Sequence, residues 1–334
     1  MTRFHWLVVV VASALLALIA LPAQASDDAL FAQQWALQKI GAPAAWASST
    51  GAGVRIGIVD TGVDLTHEDL AGKVVAGTSC VGSDGDPARC TGSPQDDQGH
   101  GTHVAGIAAA IKDNHVGIAG VAPDAQLVVA KVLGANGSGT TDDINAGIRW
   151  VVDHGARVVN LSLGDPNFLL TSLHGTELSA GVEYAWAHGA VPVVAAGNTN
   201  PDGLGLLGSS DYGSLDAIVV GATGPGDQVA PYSSPLGNAK WGILAPGGLG
   251  GGTPAVDILS TIWKKGQRNQ YAAMAGTSMA APHVTGAVAL LLAEGYSPQA
   301  AVERLLTTAD HAVACGLTSG HCAGRLDVAR AAGR

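Results

Sequence analysis

Two hydrophobic rhythms run along this chain. Short, nearly unbroken apolar runs at Val54–Val59, Gln126–Val132, Arg157–Leu161, Val191–Ala196 and Ala217–Ala222 have the length of strands. They are rich in β-branched residues and do not alternate with polar ones, the pattern of strands buried on both faces. Longer stretches rich in helix formers lie between and after them, at His100–Ile111, Asp142–Asp153, Glu177–Ala187, Ser278–Leu292 and Pro298–Thr307. This alternation predicts an α/β fold: three layers, with a mainly parallel sheet covered by helices on both faces. Thr277 is the expected N-cap of the helix that follows it, with Pro282 in the first turn. The patch Gly247-Gly-Leu-Gly-Gly-Gly-Thr253 reads as a surface loop. Gly51-Ala-Gly53 precedes its strand and lacks the Gly-x-Gly-x-x-Gly spacing, so it does not mark a dinucleotide site.

Polar residues interrupt this pattern where an apolar element ends or begins. Val54-Arg-Ile-Gly-Ile-Val-Asp-Thr-Gly62 closes a strand run on a carboxylate, Asp60. His100-Gly-Thr-His-Val-Ala-Gly opens a helix on a histidine. Gly276-Thr-Ser-Met-Ala-Ala-Pro-His283 puts a hydroxyl, Ser278, at the start of another. Taken alone, Gly-Thr-Ser would be an ordinary capped core helix. A helix N-terminus also favours developing negative charge, and parallel sheets gather reactive groups outside the carboxyl ends of their strands. An acid, a histidine and a serine at three such boundaries are the parts of an acyl-transfer triad. Their order, Asp then His then Ser, separates the chain from the chymotrypsin and α/β-hydrolase arrangements.

These three segments resemble the subtilases, and the region after the first 25 residues is most similar to the thermitase-type subtilisins. The resemblance implies a subtilisin-like fold and a serine endopeptidase acting on protein or peptide substrates. In it, Ser278 is the nucleophile, His100 the general base and Asp60 the residue that orients His100. Ala190-Val-Pro-Val-Val-Ala-Ala-Gly-Asn198 ends on Asn198, which matches the family's side-chain donor to the oxyanion, with the Ser278 backbone N–H as the other donor. Ser162, Leu163 and Gly164 match one wall of the primary pocket. Leu133, Gly137 and Gly139 match the opposite edge, which pairs with an extended substrate. His103 and His283 match positions that pack near the site without doing the chemistry. The remaining histidines read as surface or structural. The family pattern is broken at Ser209-Ser-Asp-Tyr-Gly213, where relatives carry a Tyr-Pro pair; Asp211 there either favours basic residues or is a solvated turn acid. The family also often carries calcium. One site maps onto the carboxylates of Asp28 and Asp69, the carbonyls of Ile111, Val116 and Ile118, and the side chain of Asn114, an all-oxygen set suited to Ca²⁺.

Composition narrows the setting. The chain has 334 residues, 47% hydrophobic and 4% aromatic, enough for one large domain with a core of small aliphatic side chains. A net charge of -10 and the lack of a basic block exclude nucleic acid as the main partner. Residues 1–25 read as a secretory signal: Arg3, an apolar run from Leu7 to Leu21, and Ala23-Gln-Ala25 as the cleavage site. A peptidase domain over residues 26–334 is therefore expected to be secreted or periplasmic, monomeric, and free of the membrane once the signal is cut. Asp27–Trp46 resembles the thermitase N-terminal arm, which leaves no room for an inhibitory pro-region. Four cysteines in an exported chain suggest disulfides with three possible connectivities, of which Cys80–Cys90 and Cys315–Cys322 is the local one. A dedicated processing peptidase with few substrates, or a catalytically silent peptide-binding fold, are the competing readings.

Overall fold

The structure, a computed structural model, describes residues 26–163, 175–198, 213–316 and 321–334. The signal segment 1–25, Gly164 and Ser209–Tyr212 lie outside the described residues. Ten strands and eight α-helices form among the described residues. The N-terminal arm supplies α1 (Trp35–Lys39) and α2 (Ala42–Ala45) before β1 (Arg55–Asp60) and β2 (Val74–Ser79). Then come α3 (His100–Ala109), β3 (Gln126–Lys131), α4 (Thr141–Asp153), β4 (Val158–Leu161), α5 (Gly175–Ala187) and β5 (Val191–Ala195). β6 (Ile218–Thr223) and β7 (Trp241–Pro246) precede a ribbon of β8 (Ile258–Lys264) and β9 (Gln267–Met274). The chain closes with α6 (Thr277–Ala293), α7 (Pro298–Thr308), β10 (Cys322–Arg325) and α8 (Val328–Ala331).

Eight strands build one sheet in the order β10-β7-β6-β5-β4-β1-β3-β2, every pair parallel, and β8 and β9 pair antiparallel outside it. The apolar runs serve both faces because successive side chains point opposite ways. Ile56, Ile58, Leu127 and Val129 pack with α3 and α6 in one core cluster. Val59, Val128 and Ala130, from the same two strands, pack with Ile144, Ile148 and Val151 of α4 in the second. Two full layers of helix therefore sandwich the sheet, as the uninterrupted runs predict.

The sequence reading overlooks β2, β7, β10 and the β8–β9 ribbon. β2 is a half-exposed edge strand with a glycine inside it, and β9 runs through Gln267-Arg-Asn-Gln270, so neither offers the apolar signature of an inner strand. Two local expectations are corrected as well. The residue preceding α6 is the extended Gly276, and Thr277 is already helical with its hydroxyl engaged elsewhere. Pro282 accordingly falls in the second turn, inside the helix. The helix opening at His100 stops at Ala109, and Ile111 turns its N–H to the carbonyl of Asp69.

Both local disulfides form, Cys80–Cys90 and Cys315–Cys322. At the C-terminal end, the buried Arg325 meets Asp227 at 2.9 Å and Asp310 at 3.1 Å and donates to the Lys39 carbonyl. That guanidinium pins the N-terminal arm to the last strand of the sheet.

Candidate active site

β1 delivers Asp60 to the carboxyl edge of the sheet, where it is fully buried. Its Oδ1 accepts from the Thr61 N–H at 2.7 Å and from His100 Nδ1 at 2.8 Å. A carboxylate only accepts, so Nδ1 carries the proton; in the neutral ring Nε2 is then the basic nitrogen. The close approach depends on Gly101. A Cβ there would lie 2.1 Å from the Gly62 carbonyl oxygen and 3.1 Å from the Asp60 Cβ, so any side chain would push α3 off the end of β1. Gly99 turns the chain into the helix with a φ of 113°, in the left-handed region where glycine alone is comfortable.

A second acid, which the sequence reading passes over, organises this turn. Asp96 is buried and accepts from the Gln98 and Gly99 N–H groups, both at 2.9 Å, from the Thr102 N–H at 3.0 Å, and from the hydroxyls of Thr61 and Thr102. The Thr61 hydroxyl oxygen in turn accepts from the Gly101 N–H at 2.9 Å. Every donor belongs to the segment just after Asp60 or to the turn around His100. The only sequence signal was an acid four residues ahead of the histidine.

Ser278 lies in the first turn of α6 and is buried to 3% exposure. Pro282 matters here because it lacks the N–H that would normally bond to the carbonyl four residues back. That carbonyl belongs to Ser278, and it accepts instead from the Ser162 hydroxyl at 2.8 Å. Ser162 Oγ accepts from Asn160 Nδ2 at 2.8 Å, and Asn160 Oδ1 accepts from the Thr285 hydroxyl at 2.9 Å. A fully paired buried chain thus fixes the turn that carries Ser278 to the end of β4, the strand beside β1. The Ser278 hydroxyl donates to the Ser162 carbonyl at 3.3 Å.

Asn198 follows β5, and its Oδ1 accepts from both the Thr277 N–H at 2.9 Å and the Thr277 hydroxyl at 3.0 Å. A backbone N–H can only donate, so the amide orientation is fixed and Nδ2 is the group turned toward Gly276, 3.4 Å from where a Cβ on that glycine would lie.

The two expected substrate edges flank this cluster. Leu133, Ser162 and Leu163 are each about as buried as core residues, at 2%, 3% and 2% exposure. Their side chains belong to the protein interior, and the Leu133 backbone is engaged as well, its N–H donating to the Asp60 carbonyl at 3.3 Å and its carbonyl accepting from Lys131 Nζ at 2.6 Å. On the Leu133–Gly139 edge, Gly134 N–H donates to the Ser138 carbonyl at 2.9 Å, and Gly137 has a φ of 75°. A Cβ on Gly139 would lie 2.4 Å from the Val132 carbonyl. The edge runs straight into α4, whose Asp143 accepts from the N–H groups of Gly82, Ser83 and Asp84 in the Cys80–Cys90 loop.

Comparison with known proteins places the chain as a whole. The model of the subtilase family matches residues 51–326. This chain is a subtilase. It is 39% identical to thermitase of Thermoactinomyces vulgaris over 285 residues, 85% of this chain and 91% of that protein. It is 41% identical to a thermophilic serine proteinase of Bacillus sp. (strain AK1) over 268 residues, which spans 80% of this chain and 59% of that longer protein. Among solved structures, a protease from Pseudoalteromonas arctica PAMC 21717 superposes with a TM-score of 0.74 at 28% identity, covering 93% of this chain and 99% of that one. The subtilisin-like architecture expected from the sequence is thus the one the chain adopts, and the subtilase is a subtilisin-type serine peptidase by membership.

Two histidines of this subtilase lie deep in the helices that carry His100 and Ser278. Burial pushes the His103 pKa down to about 3 and that of His283 down to about 4. His103 Nε2 bonds to the Ala272 carbonyl at 3.0 Å and His283 Nδ1 to the Met279 carbonyl at 2.8 Å, so both are structural. His67 is buried too, with Nδ1 accepting from the Asp69 N–H and Nε2 bonded to the Gln270 carbonyl. The depressed values carry a pH consequence. Below the ordinary histidine value of 6.5 the unfolded chain binds protons at positions 103 and 283 that the native state refuses until about pH 4. Stability should therefore fall on acidification from pH 6 to 4.5, these two sites contributing up to about 2.7 kcal/mol per pH unit. Urea unfolding across that range checks it: His283→Gln should reduce the slope by about one proton, and an unchanged slope would contradict the assignment.

The residues expected to hold a cation are brought together. Asn114 bridges the two acids: its N–H donates to Asp28 Oδ1 at 3.0 Å and its Nδ2 to Asp69 Oδ1 at 2.8 Å. Ile118 N–H donates to Asp69 Oδ2 at 2.8 Å, and Val116 N–H to Asn114 Oδ1 at 3.1 Å. Among the described residues no group of three or more His, Cys, Asp or Glu side chains is clustered for a metal. A shell here would thus need the Asn114 side-chain oxygen and the carbonyls of Ile111, Val116 and Ile118 beside the two carboxylates. That all-oxygen donor chemistry would suit a hard cation such as Ca²⁺.

Proposed function

We propose that the chain is a secreted serine endopeptidase that hydrolyses extended protein segments through an acyl-enzyme, with Asp60, His100 and Ser278 as its triad. The observation that carries this reading is the buried 2.8 Å hydrogen bond from His100 Nδ1 to Asp60. It leaves Nε2 as the basic nitrogen of His100, which in this reading faces Ser278. His100 takes the Ser278 proton as Oγ attacks the scissile carbonyl and returns it to the leaving amine, while Asp60 stabilises the imidazolium. The Ser278 backbone N–H and Asn198 Nδ2 receive the oxyanion. The substrate lies between Leu133–Gly139 and Ser162–Gly164 as an added strand, held by main-chain hydrogen bonds. The glycines at 137 and 139 shape the first of these edges, one through its φ of 75° and the other by close approach to the Val132 carbonyl.

Residues 1–25 act as the export signal in this reading, with maturation after Ala25. Among the described residues no helix is long and apolar enough to cross a membrane. The mature enzyme is a monomer that acts on protein or peptide substrates. Digestion of a panel of unfolded proteins tests the breadth of that activity. Cleavage at many sites in most of them is expected, whereas cuts in one or two proteins alone would make this a dedicated processing peptidase.

Ca²⁺ held by Asp28, Asp69, Asn114 and the carbonyls of Ile111, Val116 and Ile118 would tie the N-terminal arm to the loop after α3. Its contribution is to stability, since a ligand at 100 times its Kd adds about 2.7 kcal/mol to a native state that alone binds it. Chelation should lower the melting temperature by several degrees and added Ca²⁺ should restore it. A melt that is unchanged across a calcium titration would remove the site.

A further inference from the structure

Lys131 is the last residue of β3 and lies in register with Asp60 on β1. It is 8% exposed, and burying an ammonium is costly unless every proton is received. Here all three are: Nζ donates to the Thr61 carbonyl at 2.8 Å, to Asp97 Oδ1 at 2.7 Å and to the Leu133 carbonyl at 2.6 Å. The three acceptors come from different working parts. Thr61 follows Asp60, Asp97 lies three residues before His100, and Leu133 opens the edge expected to bind substrate.

The local backbone explains why a cation is needed there. The β1–β3 ladder ends at the Asp60–Lys131 pair, and the Asp60 carbonyl takes the N–H groups of both Val132 and Leu133, at 2.9 and 3.3 Å. Past that point the two strands part, one into the turn toward Gly62 and the other into the Leu133–Gly139 loop. The carbonyls of Thr61 and Leu133 lie beyond the end of this ladder. A compact ammonium with three divergent donors bridges them; the flat guanidinium of arginine does not reach three such directions.

We propose that Lys131 is a positioning residue that sets the register between the substrate-binding edge and the Asp60–His100 pair, so that occupation of the edge by an extended peptide is converted into productive alignment. This rests on the peptidase reading and on Leu133–Gly139 as the substrate edge. A hydrolase that gains from long substrates does so by binding energy remote from the reacting bond, and Lys131 is the physical tie through which that gain passes.

The test compares a single-residue ester, which reaches the primary pocket alone, with a peptide anilide that extends along the edge. In Lys131→Met the ester should lose about threefold in kcat/KM and the peptide about thirtyfold, mostly through kcat, so the advantage of the longer substrate shrinks about tenfold. Asp97→Asn leaves both carbonyl contacts and removes one charge at a half-exposed site, and should shrink the same ratio by about threefold. If Lys131→Met fails to fold, this second variant decides the matter. Equal losses on both substrates, accompanied by a lower melting temperature, would make Lys131 a plain structural tie and overturn the proposal; so would an unchanged ratio in Asp97→Asn. Wild-type hydrolysis of the ester is the control for the peptidase reading: its absence overturns both, whereas normal wild-type turnover with an unaltered ratio in the variants overturns the role of Lys131 alone.

Discussion

Ser278→Ala is expected to lower peptide hydrolysis by about 10⁶-fold while leaving the melting temperature within a few degrees of wild type; the magnitude is that of the same lesion in subtilisin. The chemistry accounts for the size of the loss. Without Oγ there is no acyl-enzyme, and the base at His100 has nothing to deprotonate except water. The structure accounts for the mildness on folding. The Ser278 hydroxyl makes one long bond, 3.3 Å to the Ser162 carbonyl, and the ties that hold the turn run through the Ser278 backbone carbonyl and the side chains of Ser162, Asn160 and Thr285. Alanine keeps all of these. Activity near wild type with an intact melt would remove Ser278 from the mechanism, and a collapsed melt would show that the turn depends on the hydroxyl after all.

Asn198→Ala is expected to lower kcat by about 10² to 10³ with little change in KM, again the size of the effect in subtilisin. Binding of the ground state does not need the donor; the oxyanion of the tetrahedral intermediate does. The two hydrogen bonds that Thr277 gives to Asn198 Oδ1, at 2.9 and 3.0 Å, leave the amide a single orientation, as such a donor would require. Thr277→Val removes the hydroxyl and keeps the backbone donor, so it should lower kcat by a smaller factor of about 3 to 10. Parallel kinetics of the two variants against one peptide anilide check both. Equal losses in kcat and in affinity for Asn198→Ala would take the side chain out of the oxyanion site.

The inner sheet and its helices were legible in the sequence because burial on both faces writes itself as continuous apolar runs. β1, β3, β4, β5 and β6 each fall within a residue or two of the expected stretch. The edge elements were not legible for the converse reason: β2 and β9 are half in water, and their composition tracks no single face. The pairing of Asp60 with His100 was legible because chemistry demands particular side chains at the ends of apolar elements. Asp96 and Lys131 were not. Each acts by accepting or donating to backbone groups that only the fold brings together, and in one dimension they are an acid in a polar loop and a lysine at the end of a Val-rich run. Thr277 shows the remaining limit. A threonine before a helix reads as a cap, yet here the Asn198 side chain takes its hydroxyl, and Gly276 precedes the helix without any side-chain cap.

Labelling of the protein comprising residues 26–334 with a fluorophosphonate probe, followed by mapping of the modified peptide, tests the central claim most directly. An Asp60–His100 pair that activates Ser278 predicts one adduct, on Ser278, and its loss in Ser278→Ala and in His100→Ala. A folded protein that takes no label, or that is labelled equally well after either substitution, would contradict the account.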